Sequence, residues 1–378
     1  MTQFLNTALL DEFDNESTPR HGLPGAAYVS NEFRQLENTH LFAKSWTFVG
    51  FAHQIPNPGD LKPLTIAGQP IFLIRNEKHE VKAFHNVCRH RNLQLVSEES
   101  NSGRIIRCPY HSWSYDLNGN LKNAPFFGGE AKQLCEGFDL KENGLAAIDC
   151  QLWHDWVFVN IDSNAAPFEE FIQPIKSMLG DIDITQYHPV ATVEFGEIAC
   201  NWKLLMENFI EPYHVQFVHK TTTSQPLKDH YAVIEGNCLG SAVELTDEQV
   251  AQAGEGTLGV SSLYLTLFPN FVLGVYRPDQ LGVHLNIPVN AGITRQFRVI
   301  YVRNDAEYSD EQIQGFKELW HKVHLEDHEM AERLQIGRQS KLAESGGVLS
   351  PFWEVSVRRF QELVADAIRP GLTASTNK

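Results

Sequence analysis

Long apolar runs are missing from this sequence. No stretch reaches the about eighteen consecutive apolar residues of a membrane-spanning helix, so no membrane partner is expected. Positive charge is in deficit, with 31 Lys and Arg against 47 Asp and Glu and a formal net charge of −16. That balance argues against nucleic acid or an anionic lipid surface as partner. No Gly-rich phosphate-cradling loop occurs, and residues 1–21 carry Asp11, Glu12, Asp14 and Glu16 where a secretory leader needs a basic start and an apolar core. Cysteine is scarce. Cys135, Cys150, Cys200 and Cys238 fall into no disulfide framework, which suits a reducing cytoplasm. What is present, 42% hydrophobic and 21% charged residues over 378 positions, describes a folded globular chain with room for two domains.

The remaining two cysteines are organised differently. Cys88-Arg89-His90 is followed after seventeen residues by Cys108-Pro109-Tyr110-His111. Zinc knuckles usually put two Cys in one arm and two His in the other. Here each arm supplies one of each. That pattern suits a [2Fe–2S] cluster whose two irons are held by two thiolates and two imidazoles, the Rieske arrangement.

Around these arms the texture is short β-type runs separated by turns. Trp46–Gly50, Pro70–Arg75, Val81–Phe84, Ile105–Cys108 and Trp156–Asn160 read as strands, with turns at Asn57–Asp60 and Asp116–Asn120. Residues 28–46 read as one helix capped by Ser30 or Asn31, and Phe168–Leu179 as another. The expected division is 1–44 as an N-terminal part of the larger domain, 45–160 as an antiparallel β domain carrying the cluster, 161–370 as the rest of the larger domain, and 371–378 as a disordered tail.

A second metal site is expected further on. The spacing of Trp202, Leu205, Met206, Phe209 and Ile210 predicts a buried helix, with Glu211 and His214 on one face and His219 just beyond its end. Two histidines separated by four residues beside a carboxylate, next to so apolar a helix, point to metal ligation by His214 and His219. One more carboxylate completes the two-histidine facial triad of non-haem Fe(II) sites. In Glu311–Arg338 an apolar stripe runs through Phe316, Trp320, Val323, Met330 and Leu334, and Asp327 falls in its gap. Asp327 is the candidate third ligand and Glu326 the runner-up. The alternative is an Asp327 paired with Arg333 or Arg338.

The cluster motif, followed by Asn201-Trp-Lys, Glu207-Asn208, an acid, His214-x4-His219, Glu326-Asp327 and Gln335-Ile-Gly337, resembles the catalytic α-subunits of the Rieske non-haem iron oxygenases. The resemblance covers roughly residues 25–365. It implies an α+β fold: an antiparallel β Rieske domain inserted near the N-terminus of a helix-grip catalytic domain, an antiparallel sheet with helices. It also implies His214, His219 and Asp327 on mononuclear Fe(II), and Cys88, His90, Cys108 and His111 on the cluster. Subunits are expected to form a homotrimer in which Glu211 bridges His214 to His90 or His111 of the partner subunit. Most ring-hydroxylating members have Asp at that bridge. Glu resembles the branch acting on quaternary ammonium compounds such as choline, carnitine and glycine betaine. Arg91-Asn92 stands where the family usually has Arg-Gly, and Asn tolerates the left-handed backbone such a turn needs.

The implied reaction uses O₂ and electrons from NAD(P)H, delivered by a separate flavin or iron–sulfur reductase or a ferredoxin, to hydroxylate a small organic substrate. Monooxygenation leading to N-demethylation is favoured. Aromatic ring dihydroxylation is the alternative, and a Rieske electron carrier without oxygenase activity the reading from another class. The pocket is expected to draw on Phe209, Phe217 and the strands around Tyr264–Phe268, Phe271–Tyr276 and Val283–Ile287, as an aromatic cage for an ammonium head or a slot for an arene.

Overall fold

The computed structural model describes residues 5–375, apart from Ser17, Ala131, Gln133 and Glu255–Gly256. Two compact units divide the chain: Phe42–Ala165 is one, and Met1–Leu41 with Ala166–Lys378 is the other.

The Phe42–Ala165 unit is built on antiparallel strands. These are β1 (Thr47–Phe51), β2 (Asp60–Ile66), β3 (Gln69–Arg75), β4 (Val81–His85), β5 (Ser100–Asn101), β6 (Ile106–Arg107), β7 (Ser114–Tyr115), β8 (Leu121–Asn123), β9 (Ala147–Trp153) and β10 (Trp156–Asn160). One sheet runs in the order β1-β10-β9-β4-β3-β2-β5, and β6-β7-β8 form a second. Both cluster arms are loops, one after β4 and one after β6. A core of Phe72, Phe84, Trp113, Tyr115 and Leu117 packs beneath Cys88 and Cys108.

The other unit carries β11 (Tyr187–Ile198), β12 (His230–Glu235), β13 (Cys238–Val243), β14 (Ser262–Leu267), β15 (Phe271–Tyr276), β16 (Gln280–Asn290) and β17 (Ile293–Arg303). β12 to β17 meander antiparallel in chain order, and β11 closes the far edge beside β17. Its helices are α1 (Asp11–Asp14), α2 (Ala26–Val29), α3 (Asn31–Leu36), α4 (Phe168–Leu179), α5 (Trp202–Ile210), α6 (Val215–Val218), α7 (Asp247–Ala251), α8 (Asp310–Gly337) and α9 (Val355–Ser375). This is an α+β fold in which α5 and α8 lie against the sheet.

Several local expectations are corrected. The segment 28–46 is not one helix: α2 stops at Ser30, whose extended backbone lets its hydroxyl accept from Phe33 N and cap α3, and a π-helical turn, Glu37–Phe42, follows. Glu211 and His214 do not share a helical face. Pro212 forces the residue before it out of the α region, so α5 ends at Ile210 and Glu211 is extended at φ −117°, ψ 138°. The buried face of α8 is rotated from the apolar stripe. Trp320, His324, His328, Ala331 and Gln335 are buried, whereas Leu334 is exposed. Hydrogen bonds of His328 with Gln296 and of Gln335 with Asn201 and Tyr28 help make that polar face buriable, which apolar spacing cannot register. The chain after Pro370 is not uniformly irregular, because α9 runs through Pro370 to Ser375 with Ile368 and Leu372 in the core. Residues 376–378 lie outside the described residues.

Candidate metal centres and pocket

The two cluster arms fold as matching loops. Cys88 N donates to Leu93 O and Asn92 N to Cys88 O; Cys108 N donates to Trp113 O and Ser112 N to Cys108 O. Each loop closes with a left-handed residue, Asn92 at φ 58° and Ser112 at φ 58°, so Asn serves where Gly was expected. Both thiols are buried, while His90 is partly exposed and His111 exposed. The imidazoles are 4.6 Å apart by ring centroid, and His90 stacks on Trp113 at 4.9 Å. Tyr115 Oη stands 3.3 Å from Cys88 Sγ. Burial raises the Cys88 thiol, and the adjacent Cys108 adds to this against the Tyr115 hydrogen bond. Two buried sulfurs below two outward imidazoles fit a cluster with one thiolate-held and one histidine-held iron.

The structure brings His214, His219 and Asp327 together, each with a donor atom within 4.8 Å of the others. α5 ends, turns at Pro212 and delivers His214 at the start of α6 and His219 at its end. Asp327 comes from the middle of α8. His219 Nε2 lies 3.1 Å and His214 Nε2 3.5 Å from Asp327 Oδ1. The opposite nitrogen of each ring meets another carboxylate: Glu211 Oε1 is 2.7 Å from His214 Nδ1, and Glu326 Oε2 is 2.8 Å from His219 Nδ1. That fixes both tautomers with Nε2 facing Asp327, the outer-shell arrangement of metal-bound histidines. Asn208 Nδ2 donates to Asp327 at 3.2 Å, and Thr222 Oγ1 to Glu326 at 2.6 Å.

Electrostatics agree with a cation here. Burial opposes charging His219, but the hydrogen bonds and charges of Asp327 and Glu326 outweigh it and lift the ring to about 9. Burial would raise Asp327, yet His219 and His214 hold it below its ordinary value. A site that holds a proton this firmly without a metal has the negative potential to hold a divalent ion instead. Two imidazoles and one carboxylate, leaving positions open, fit non-haem Fe(II).

The alternatives to Asp327 are not met, and one expected pocket residue lies elsewhere. Glu326 sits behind His219 rather than beside Asp327's donor oxygen. Arg333 pairs with Glu329, and Arg338 lies over the Tyr28 ring, so neither neutralises Asp327. Phe217 is 57% exposed and does not line the pocket. Around the three clustered residues the pocket encloses about 570 Å³ including its mouth, lined by Phe209, Tyr264, Tyr276, Trp320 and a polar group of His230, His284, His324 and Arg298. These polar residues were not singled out. For His284 and Arg298 the available signal was period-2 polarity inside apolar strands, where the two lie opposite each other in register.

The fold and these two centres define a two-domain, iron-dependent oxygenase. Residues 45–169 match the Rieske [2Fe-2S] domain, and residues 182–369 match the ring hydroxylating alpha subunit catalytic domain. The chain belongs to the Rieske-type ring-hydroxylating oxygenases as their catalytic α-subunit, an oxidoreductase. It is 27% identical to the carnitine monooxygenase oxygenase subunit of Escherichia coli K12, over 92% of this chain and 94% of that protein. It is 28% identical to the glycine betaine monooxygenase oxygenase subunit of Pseudomonas aeruginosa UCBPP-PA14, over 89% and 87% respectively. In fold it is similar to the quaternary ammonium Rieske monooxygenase CntA in complex with L-carnitine, at TM-score 0.76 and 23% identity over 93% of this chain and 97% of that one. These domains imply a Rieske cluster and a mononuclear iron. No helix among the described residues is long and apolar enough to cross a membrane.

Proposed function

We propose that this oxygenase hydroxylates an N-methylated quaternary ammonium compound, with N-demethylation as outcome, using electrons from NAD(P)H through a separate reductase or ferredoxin. The observation that carries the catalytic part is the convergence of His214 Nε2, His219 Nε2 and Asp327 Oδ1, each backed by its own hydrogen bond. Support for the substrate class is similarity to carnitine and glycine betaine monooxygenase subunits over about nine-tenths of the chain, with Glu211 at the position where most ring hydroxylases carry Asp.

An Fe(II) on His214, His219 and Asp327 and a [2Fe–2S] cluster on Cys88, His90, Cys108 and His111 supply O₂ activation and one-electron relay when bound. The chain's own groups do the rest. Glu211 and Glu326 accept from the Nδ1–H of His214 and His219 and keep each Nε2 lone pair free. Asn208 orients Asp327. Phe209, Tyr264 and Trp320 give an apolar lining that limits water near the reacting C–H bond. In a homotrimer Glu211 also accepts from His90 or His111 of the partner subunit and couples the two centres. The proposed division is 45–160 for the cluster domain and 1–44 with 161–370 for the catalytic domain, close to the compact units Phe42–Ala165 and Met1–Leu41 with Ala166–Lys378.

The test is oxidation of the dithionite-reduced protein by O₂, followed through the cluster's visible absorption, with trimethylammonium compounds and aromatic acids compared. Fast oxidation with an ammonium compound and release of an aldehyde is expected. Acceleration by arenes alone would overturn the substrate class and leave the oxygenase.

A further inference from the structure

One wall of this pocket holds a charge that no acidic side chain among the described residues neutralises. Arg298, on β17, is 0% exposed and lines the pocket, yet among the described residues it forms no ion pair. Its Nη1 lies 3.0 Å from His284 Nε2, and its guanidinium carbon is 3.4 Å from the Trp320 ring centroid and 5.1 Å from that of Tyr276. Its Nε and Nη2 form no well-aligned hydrogen bond, the Tyr276 hydroxyl interacting only weakly with the guanidinium. Burial pulls Arg298 down, but a guanidinium stays protonated in proteins. An uncompensated buried cation with two open donors is costly to keep.

The two open nitrogens are adjacent on one edge of the guanidinium, the fork that takes a carboxylate with two parallel N–H···O bonds. The sheet makes room for the group. Gly282 and Gly274 oppose each other across β15 and β16. A Cβ on Gly282 would stand 2.1 Å from Arg298 Nη2, and one on Gly274 2.2 Å from Tyr276 Oη. Tyr276 Oη and His324 Nε2 also form no well-aligned hydrogen bond. Burial holds His284 and His324 well below the ordinary histidine value, so these rings are neutral and Arg298 is the fixed cation of this wall.

We propose that Arg298, with Tyr276 beside it, is a subsite for a carboxylate of the substrate, so that the substrate is an organic carboxylate whose reacting end faces His214, His219 and Asp327. This rests on reading the pocket as the oxygenase's substrate site. It narrows the quaternary ammonium class to ammonium carboxylates over ammonium alcohols. Because Arg298 already occupies the faces of Trp320 and Tyr276, the methylated head lies against Phe209 and Tyr264, whose rings meet edge-on at 5.6 Å.

The test is calorimetric titration of the holoenzyme with two matched pairs, glycine betaine against choline and benzoate against benzamide. The carboxylate is expected to bind at least about tenfold tighter than its neutral counterpart, a difference readable within one pair. Arg298→Gln and Gly282→Ala should erase that preference while the cluster's visible spectrum persists. Preference in the ammonium pair supports the subsite and the ammonium class together. Preference in the benzoate pair alone supports the subsite and overturns the ammonium class. Choline binding as tightly as glycine betaine, with benzoate no better than benzamide, overturns the subsite and leaves the ammonium class standing. The wild-type comparison decides even if Arg298→Gln fails to fold.

Discussion

At the scale of single residues, the candidate centre separates ligands from the groups that aim them. Asp327→Ala should reduce iron from three to two per chain and abolish turnover, with the cluster's absorption unchanged; iron analysis beside the visible spectrum checks this. Glu326→Ala leaves all three ligands and should weaken iron affinity about 10–100-fold, measured by competition with a chelator. His230 gives a pH-dependent outcome. Neither ring nitrogen has a partner, and burial pushes the ring from 6.5 down to about 4, with Asp229 opposing and His214 adding. Between those values the unfolded chain binds the extra proton, so stability is lost as pH falls from 6.5 towards 4. Between pH 7 and pH 5 this amounts to about 2 kcal/mol. His230→Phe should remove that share of the acid loss in urea titrations at the two pH values. The clustering of His214, His219 and Asp327 was legible because the chemistry proposed for them needs fixed spacings. Arg298 and His230 were not, because a lone polar residue in an apolar strand shows its meaning only when its neighbours in space are known.

At the scale of elements, the Asn201-Trp-Lys and Gln335 motifs turn out to be joints. Asn201 Oδ1 accepts from Lys203 N to cap α5, and its Nδ2 donates to Tyr28 O and Ala291 O. Gln335 Oε1 accepts from Asn201 N while its Nε2 donates to Tyr28 O. α5, which leads into the turn bearing His214 and His219, and α8, which carries Asp327, are thereby tied at one point. Asn201→Ala should cost roughly 2–4 kcal/mol, a lost cap plus the Ala291 carbonyl deprived of its Asn201 donor, read as a lower Tm. Leu334→Gln should change stability by less than about 0.5 kcal/mol, although apolar spacing assigns Leu334 to the buried face. The strands and the helix Phe168–Leu179 were readable from alternation and a capping proline. The register of α8 was not, since three of its five buried residues are His or Gln and a hydrophobicity pattern counts them as outward.

At the scale of the whole molecule, the catalytic unit is assembled from both ends of the chain around an intervening domain. Tyr28 Oη donates to Glu207 Oε1 at 2.7 Å, and Gln361 Nε2 reaches both. Tyr28→Phe should therefore destabilise the catalytic unit by about 1–3 kcal/mol without altering the cluster's spectrum, whereas Cys108→Ser should bleach the cluster. Differential scanning calorimetry followed alongside visible absorption distinguishes the two.

The same topology sets a schedule for synthesis. Glu37, fully buried, is neutralised by Lys203, which lies 166 positions later. At about 5–20 residues per second, the ribosome leaves Glu37 with Arg34 alone, and without Lys203, for roughly 8–33 s. During that interval Phe42–Ala165 is completed, with both cysteine arms, before the first strand of the catalytic sheet has been made. Both cysteine arms are thus synthesised before any of the catalytic sheet, and a newly made chain carries Cys88 and Cys108 before it has a site for O₂.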